Sequence, residues 1–108
     1  MLMPGIEEFR AQDYETALPL LLESARAGSA EAQCMIGNMY QLGLGEIEVD
    51  EQEAMRWYYL AANQGYGVAT SNLAGMVWPI SPEAAAALHQ LARQQGYEAG
   101  EGGEVIAS

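Results

Sequence analysis

Lysine is absent from this sequence of 108 residues, and histidine and cysteine occur once each. Four arginines stand against fifteen acidic residues, so the formal net charge is -11 and the isoelectric point lies near 4.1. Sequence-independent nucleic-acid binding needs clustered arginine and lysine, and so does attraction to anionic lipid. We therefore expect no nucleic acid and no membrane among the partners, and we expect a protein or a peptide instead.

The sequence also lacks a cysteine pair and a long apolar run. Cys34 alone cannot form an intramolecular disulfide, which is typical of a protein from a reducing compartment. The first residues, MLMPGIEEF, contain no basic region, and no stretch approaches the roughly 20 apolar residues of a membrane span. These features predict a cytoplasmic protein.

Few side chains are candidates for catalysis. His89 lies beside Leu88 and near Leu91 in a helical pattern, which is more typical of a half-buried or surface histidine than of an acid-base group. Cys34 lies on an apolar helical run with no histidine or cation near it in sequence, so we expect a packing thiol rather than a nucleophile. No catalytic triad, phosphate loop or HExxH motif is visible, and we predict a protein that is not an enzyme and needs no cofactor.

The densest acidic stretch consists of Glu46, Glu48, Asp50, Glu51 and Glu53. Oxygen-rich loops can bind calcium, but in an EF-hand the glycine interrupts the acidic residues, whereas here the glycines precede them. Several of these acids lie at a predicted helix start, where they interact favourably with the helix dipole. We interpret the stretch as a solvated loop with a helix cap and predict no metal site.

Helical periodicity is what the sequence does contain. Apolar residues recur at helical spacing in a hairpin over residues 13–43, in a second hairpin over residues 50–78 and in a terminal helix over residues 81–95. Pro19 predicts a kink or a loosened first turn in the first helix, because proline lacks an N–H and clashes with the preceding turn. The predicted N-caps of the first hairpin are Asp13 and Ser29.

The two hairpins are copies of each other. A shift of 37 residues superposes Ala17, Ala25, Gly28, Ala32, Ile36 and Met39 on Ala54, Ala62, Gly65, Ala69, Leu73 and Met76. The terminal helix follows the same pattern at a shift of 31, which superposes Ala54 on Ala85 and Gly65 on Gly96. Self-similarity at this period is the signature of a helical solenoid. The predicted fold is therefore all-α, a short α-α superhelix of about two and a half helical hairpins.

Thirteen positions follow a repeat pattern of the form Ala-x-x-x-Leu-Gly-x-x-Tyr, a Gly-x-Gly loop, Asp, and then Ala-x-x-Trp-Tyr-x-x-Ala-Ala-x-x-Gly. They are Ala32, Ile36, Gly37, Tyr40, Gly43, Gly45, Asp50, Ala54, Trp57, Tyr58, Ala61, Ala62 and Gly65. On these residues the chain resembles the Sel-one-like (Sel1-like) repeat, a relative of the tetratricopeptide repeat. The resemblance covers residues 13–96 and implies a right-handed solenoid, a Sel1-like domain over residues 1–96 and a role in protein–protein interaction. Residues 97–108 are acidic and Gly-rich and predict a disordered tail.

The cluster of aromatic and small residues in the second hairpin is best explained by helix packing. Small side chains let helix axes approach, and large ones fill the gaps between layers. We expect this structural role for Trp57, Tyr58, Ala61, Ala62 and Ala69. Trp78 is expected to fold over the terminal helix as a lid; if it is exposed, it is a candidate anchor for a partner.

A binding surface remains the way in which such a chain can act. Positions outside the packing stripe of successive predicted helices tend to line the concave side of a solenoid, and here they are Leu22, Arg26, Arg56, Tyr59, Asn63, Gln90 and Gln94. Two of the four arginines fall in this set, so the predicted groove can meet a carboxylate or an acidic peptide segment. The alternative for the same residues is an ordinary solvated helix face.

Two functions are open at this point. The first is an adaptor or scaffold that binds a peptide or protein segment in the helical groove. The second is an acidic inhibitor or regulator whose outer surface caps a basic site on a partner protein. Because a short solenoid has exposed ends, a homo-oligomer formed through one end is also an expectation.

Overall fold

The structure is a computed structural model that describes residues 4–97. Over that range the chain is helical, and the predicted all-α helical-repeat solenoid is confirmed. The helices are α1 (Ile6–Arg10), α2 (Tyr14–Arg26), α3 (Ala30–Leu42), α4 (Glu51–Ala62), α5 (Gly67–Val77) and α6 (Pro82–Gln94), with one turn of 3-10 helix at Leu44–Glu46 between α3 and α4. The predicted tail, residues 97–108, lies outside the described residues except for Tyr97.

Side-chain caps begin four of the helices. Asp13, Ser29, Asp50 and Ser81 each accept a hydrogen bond from the backbone N–H three residues further on. This bond satisfies a donor that the first turn of a helix leaves without a partner. The N-caps predicted at Asp13 and Ser29 are therefore confirmed.

Helix α2 continues through Pro19, and the kink or loosened turn predicted there stays a prediction. Pro19 lies in the second turn after the Asp13 cap, and both Pro19 and Glu15 are exposed. The carbonyl of Glu15, which proline deprives of its usual helical donor, therefore lies where water can bind it.

Within residues 4–97, consecutive helices pack on one another, most extensively α3 on α4 and α5 on α6. Two apolar clusters result. The N-terminal core is formed by the buried residues Ile6, Phe9, Ala17, Leu21, Ala25, Ala32, Met35, Ile36 and Met39. The central core is formed by Cys34, Ala54, Tyr58, Ala61 and Ala69, which come from α3, α4 and α5.

Tyr58 is the largest fully buried side chain. Its ring lies on Gly37 of α3, so closely that a β-carbon on Gly37 would come within 2.6 Å of the ring. Trp57 packs against the N-terminal core, and Ala61 and Ala69 are buried in the central core. These aromatic and small residues therefore pack helices together, as the sequence predicts.

A buried polar network joins α3, α4 and α5. The Tyr58 hydroxyl lies 2.7 Å from both Asn38 Oδ1 and Gln41 Oε1, and Asn72 Nδ2 donates to Asn38 Oδ1 at 3.4 Å and to Cys34 Sγ at 3.7 Å. A hydroxyl has a single proton, so if it donates to Asn38, the amide of Gln41 must present its NH₂ group. Burial raises the pKa of Tyr58 above its usual value, so the tyrosine stays neutral.

A second set of polar contacts is repeated from one unit to the next. In the first unit, Gln64 Nε2 donates to Gln33 Oε1 at 3.0 Å, and Gln33 Nε2 donates to the carbonyl of Ala25 at 3.2 Å. The loop after α4 is thereby tied to the preceding α2–α3 turn. The two glutamines together bridge the distance between successive layers.

In the second unit, the equivalent contacts are made by a single glutamine side chain. The shifts of 37 and 31 place Thr70 at the position of Gln33 and Gln95 at that of Gln64. Thr70 is too short to bridge, and Gln95 makes both contacts: it accepts from Thr70 Oγ1 at 2.6 Å and donates to the carbonyl of Ala62 at 3.4 Å. The sequence repeat is thus also a repeat of interactions, and α6 occupies the same place relative to α5 as α4 does relative to α3.

Candidate functional site

Six of the seven predicted groove residues have exposed side chains. They are Arg26 on α2, Arg56, Tyr59 and Asn63 on α4 and at its end, and Gln90 and Gln94 on α6. Leu22 differs, because it is half-buried and packs against the N-terminal core. The structure therefore gives Leu22 a packing role and leaves the other six available to a partner.

Arg56 and Tyr59 line the same hollow. This seam hollow lies between α4 and α5, has a volume of about 410 Å³ and is lined by Gln52, Met55, Arg56, Tyr59 and Leu73. Met55, Tyr59 and Leu73 make most of its wall apolar. The structure thus brings together the cation and the aromatic residue that helical spacing singled out.

The geometry of α4 explains why Arg56 and Tyr59 meet. Residues three apart lie on the same face of a helix, so both side chains project beside α5. Tyr59 is 61% exposed, which is unusual for so large an apolar side chain. Arg56 Nη1 lies 3.4 Å from Glu53 Oε1, and both groups face solvent, so this ion pair is weak and leaves the guanidinium able to change partners.

The contribution of α5 to the hollow is missing from the sequence prediction. The prediction drew its residues from α2, α4 and α6, whereas Leu73 lies on α5 and Met55 and Gln52 lie on the side of α4 that faces α5. A further hollow of about 260 Å³ continues from Met55 and is lined also by Gln41, Glu51, Gly75, Met76, Pro79 and Ile80. The α4–α5 seam is therefore a longer apolar surface than the predicted residues imply.

Another hollow lies at the C-terminal end of the solenoid. This end hollow has a volume of about 370 Å³ and is lined by Trp78, Ala86, His89, Arg93 and Tyr97. Trp78 is 55% exposed, so the prediction of a lid buried against the terminal helix is wrong. The indole stands at the rim of the hollow because α5 ends at Val77 and Pro79 follows directly.

The candidates for other chemistry are placed apart from one another. His89 is exposed on α6, and Cys34 is buried in the central core. Asp50 caps α4, with Glu51 and Glu53 in its first turn, as the sequence predicts. Within residues 4–97, no group of three or more histidine, cysteine or acidic side chains is arranged to hold a metal ion, and no helix is long and apolar enough to cross a membrane.

Comparison with known proteins places this architecture in a family. The family model for the Sel1 repeat matches residues 30–66 and 79–105. The chain belongs to the Sel1 repeat family. The first match begins with α3 and runs through α4, so the family unit pairs α3 with α4, whereas the predicted hairpins pair α2 with α3 and α4 with α5. The extensive packing of α3 on α4 agrees with this unit, and the second match contains α6 and not α5.

Two curated proteins share this sequence pattern. An uncharacterized protein of Neisseria meningitidis serogroup B, NMB1327, is 37% identical over 83 residues, which cover 77% of the chain and 18% of that protein. Chitin synthase regulatory factor 3 of Schizosaccharomyces pombe is 38% identical over 61 residues, which cover 56% of the chain and 6% of that protein. The chain therefore spans less than a fifth of the length of either relative. Sel1 repeats are generally protein–protein interaction modules and are non-enzymatic as a family.

Proposed function

We propose that this Sel1 chain is a non-enzymatic adaptor that binds a segment of a partner protein in the seam hollow between α4 and α5. The observation that carries the proposal is that Arg56 and Tyr59 share this hollow with the apolar side chains of Met55 and Leu73. An exposed aromatic residue beside an apolar depression, with an arginine at the rim, is the composition of an interface hot spot.

The lining indicates the chemistry of the bound segment. Met55 and Leu73 form an apolar floor for a large aliphatic or aromatic side chain, and the thioether of methionine adapts to different shapes. Tyr59 adds contact area at small entropic cost, because its side chain has few rotatable bonds. Arg56 can donate to a carboxylate of the segment, in competition with Glu53.

The remaining predicted residues extend this surface. Asn63 follows Tyr59 by one turn at the end of α4 and is exposed, so it can bond the backbone of a segment that runs along the helix. Arg26, Gln90 and Gln94 lie on α2 and α6 and are secondary contacts for a longer partner. A regulatory role of the bound complex agrees with the name of one relative, a chitin synthase regulatory factor.

The experiment first identifies a partner by affinity capture and then measures its affinity for the purified chain by calorimetry. Tyr59→Ala is expected to weaken binding at least about tenfold, or about 1.4 kcal/mol, because it removes the aromatic wall of the hollow. Leu60→Ala is the matched control, since Leu60 is exposed on the same helix but does not line the hollow. Equal loss in the two variants, or no loss in Tyr59→Ala, contradicts the assignment of the seam hollow.

The second candidate function is an acidic regulator that caps a basic site on its partner. It is favoured by the position of the acidic residues, since eleven of the fifteen lie within residues 1–56. Such a complex weakens steeply with salt and is insensitive to Tyr59→Ala. Glu46→Gln together with Glu48→Gln is expected to weaken that complex, whereas binding in the seam hollow is little changed by the same pair of substitutions.

A further inference from the structure

The hollow of about 260 Å³ that continues the seam hollow past Met55, here called the Gly75 hollow, has its own chemistry. Met55, Met76 and Ile80 give it apolar walls, and Gly75 of α5 and Glu51 of α4 also line it. Ile80 is 76% exposed, although isoleucine is among the residue types most often buried. An exposed aliphatic side chain beside a hollow indicates a surface that a partner can cover.

The glycine in this hollow is not explained by folding. Gly75 lies inside α5, where glycine is less favourable than alanine. A β-carbon at this position would have no heavy atom within 4 Å, so packing among the described residues does not require glycine. The repeat does not require it either, because the shift of 37 residues places Asn38 at the equivalent position. The missing side chain instead leaves the backbone of α5 accessible from the hollow.

This accessible backbone includes a carbonyl that lacks its helical donor. In an α-helix, the carbonyl of Gly75 accepts a hydrogen bond from the N–H of the residue four positions on, which here is Pro79 and has none. The N–H groups on either side of Pro79 donate to carbonyls other than that of Gly75, at 3.0 Å and 2.8 Å. The Gly75 carbonyl is therefore an acceptor that a partner can use.

The charges around the Gly75 hollow favour a basic side chain. The C-terminal end of a helix carries a partial negative charge, and the last turn of the described helix α5 contains no basic residue to offset it. Glu51 adds a full negative charge at the same hollow. Lysine and arginine combine an apolar stem with a charged end that donates hydrogen bonds. The stem can lie on Met55 and Met76 while the charged end reaches Glu51 and the carbonyl of Gly75.

We propose that the Gly75 hollow binds a lysine or arginine side chain of the partner segment whose apolar side chain occupies the seam hollow. The inference rests on the proposed function, because the two hollows share Met55 and a single segment can fill both. Arg56 lines the seam hollow and Glu51 the Gly75 hollow, so the two hollows differ in charge. Because Glu51 begins α4 and Arg56 lies further along it, the basic residue of the segment lies toward the start of α4.

The probe is a phage-displayed library of random dodecapeptides, selected on the full chain. The affinity of the tightest selected peptide is then measured by fluorescence anisotropy. Selected peptides are expected to contain a lysine or arginine close to a large apolar residue and to lose affinity in Tyr59→Ala. Replacing the basic residue of the peptide by methionine is expected to weaken binding at least about tenfold, because a charged hydrogen bond is lost.

A change of charge tests the contribution of the carboxylate. Glu51→Arg is expected to raise the dissociation constant of the selected peptide at least about tenfold, because it places like charges together. A peptide with glutamate in place of its basic residue is expected to bind Glu51→Arg more tightly than the parent chain. Glu83→Arg is the matched control, because it makes the same change in net charge in the first turn of α6 and Glu83 lines neither hollow.

A change of size tests the space at the α5 backbone. Gly75→Gln is expected to weaken the peptide at least about tenfold, because its side chain fills the hollow and covers the carbonyl. Its free energy of unfolding is not expected to fall, since glutamine favours helix over glycine. Gly75→Ala adds only a β-carbon and is expected to weaken the peptide less than Gly75→Gln.

The proposed function and this inference fail in different ways. If the library yields no peptide, or if Tyr59→Ala leaves the selected peptides unaffected, both are wrong. If Tyr59→Ala weakens the peptides while Glu51→Arg and Gly75→Gln have no more effect than Glu83→Arg, the inference alone is wrong.

Two further results overturn the inference by identifying a different occupant of the Gly75 hollow. The first is a tenfold gain in peptide affinity when Val105→Ser is combined with Ile106→Ser, because the chain's own residues 98–108 then occupy the hollow. The second is a dimer that the peptide dissociates in sedimentation velocity, because a second copy then occupies it.

Discussion

The two helix pairs α3–α4 and α5–α6 follow the same order along the chain and have different surroundings. In α3, eight consecutive residues from Ala32 to Met39 are buried, because neighbouring helices cover more than one of its faces. In α5, only five residues are buried, and in α6 only Ala85 and Ala92 are. Within residues 4–97, the same hairpin is thus an inner layer in one place and the last described layer, called the terminal layer below, in the other.

The substitutions between the units follow this difference. The position of Tyr58, which seals the inner layer, is taken by the exposed His89 in the terminal layer. An exposed position tolerates a polar ring such as that of His89, and Trp78, which lines the same hollow, is exposed as well. Burial is therefore extensive in the first unit, whereas the second unit leaves more of its helix surface exposed within residues 4–97.

The largest effect on stability is expected from a substitution that forces α3 and α4 of the inner layer apart. Gly37→Ala places a β-carbon within 2.6 Å of the Tyr58 ring, and this ring cannot move because it is fully buried. We expect a loss of about 2–3 kcal/mol in the free energy of unfolding, measured by urea denaturation followed by circular dichroism.

The outer layer supplies the control for that substitution. Gly75→Ala adds a β-carbon with no heavy atom within 4 Å, in an exposed position of α5. It is expected to stabilise the protein by about 0.5–1 kcal/mol, because alanine favours helix over glycine. A similar loss of stability in both variants contradicts the expectation that the loss in Gly37→Ala comes from the close contact with Tyr58.

The next largest effect on stability is expected from a substitution in the buried polar network. Tyr58→Phe removes the hydroxyl and leaves the amides of Asn38 and Gln41 short of a partner. A cost of about 1–3 kcal/mol in the free energy of unfolding is expected, since buried polar groups lose a hydrogen bond that water cannot replace. His89→Ala, at the equivalent position of the terminal layer, is expected to stay within about 0.5 kcal/mol of the parent protein. If Tyr58→Phe and His89→Ala lower the free energy of unfolding equally, the inner and terminal layers do not differ in packing as described.

Contacts between residues that are close in sequence can be predicted from the sequence, whereas contacts that depend on how helices cross cannot. The caps at Asp13 and Ser29 and the shared face of Arg56 and Tyr59 depend on residues three positions apart, and periodicity finds them. The half-burial of Leu22 depends on how the helices around the N-terminal core pack together. The contribution of Leu73 to the seam hollow depends on how α5 crosses α4. Helix spacing contains no information on such crossings.

The polar network shows the same limit more strongly. The hydrogen-bonded pair Tyr58–Asn38 is separated by 20 residues in sequence, and the pair Asn72–Asn38 by 34. Only the stacking of successive units brings these side chains together. The repeat shift indicates which helices stack, but it does not identify polar partners, because Asn72 lies at the position of Met35 in the preceding unit. A comparison of the repeats therefore predicts the layers and misses the hydrogen bonds between them.

The same hydroxyl gives the stability of the inner layer a dependence on alkaline pH. Burial raises the pKa of Tyr58 in the folded chain above the value of 10.0 expected for an exposed tyrosine. Its contribution is therefore complete below pH 10 and is lost as the pH rises further, because the unfolded chain ionises first. Above pH 10, the parent protein is expected to lose up to about 1.4 kcal/mol per pH unit through this group, and Tyr58→Phe to lack that component. Parallel slopes for the two proteins in urea denaturation between pH 9 and pH 11 contradict this expectation.

The smallest effect on stability is expected where the effect on binding is largest. Tyr59 is next to Tyr58 in sequence, yet it is 61% exposed and lines the seam hollow. Tyr59→Ala is expected to change the free energy of unfolding by no more than about 0.5 kcal/mol, because truncating an exposed side chain leaves no cavity. Urea denaturation of this variant, beside its affinity for the identified partner, separates the two functions of the adjacent tyrosines. If Tyr59→Ala unfolds as easily as Tyr58→Phe, the loss of binding reflects loss of folded protein, and the assignment of Tyr59 to the partner-binding surface loses its support.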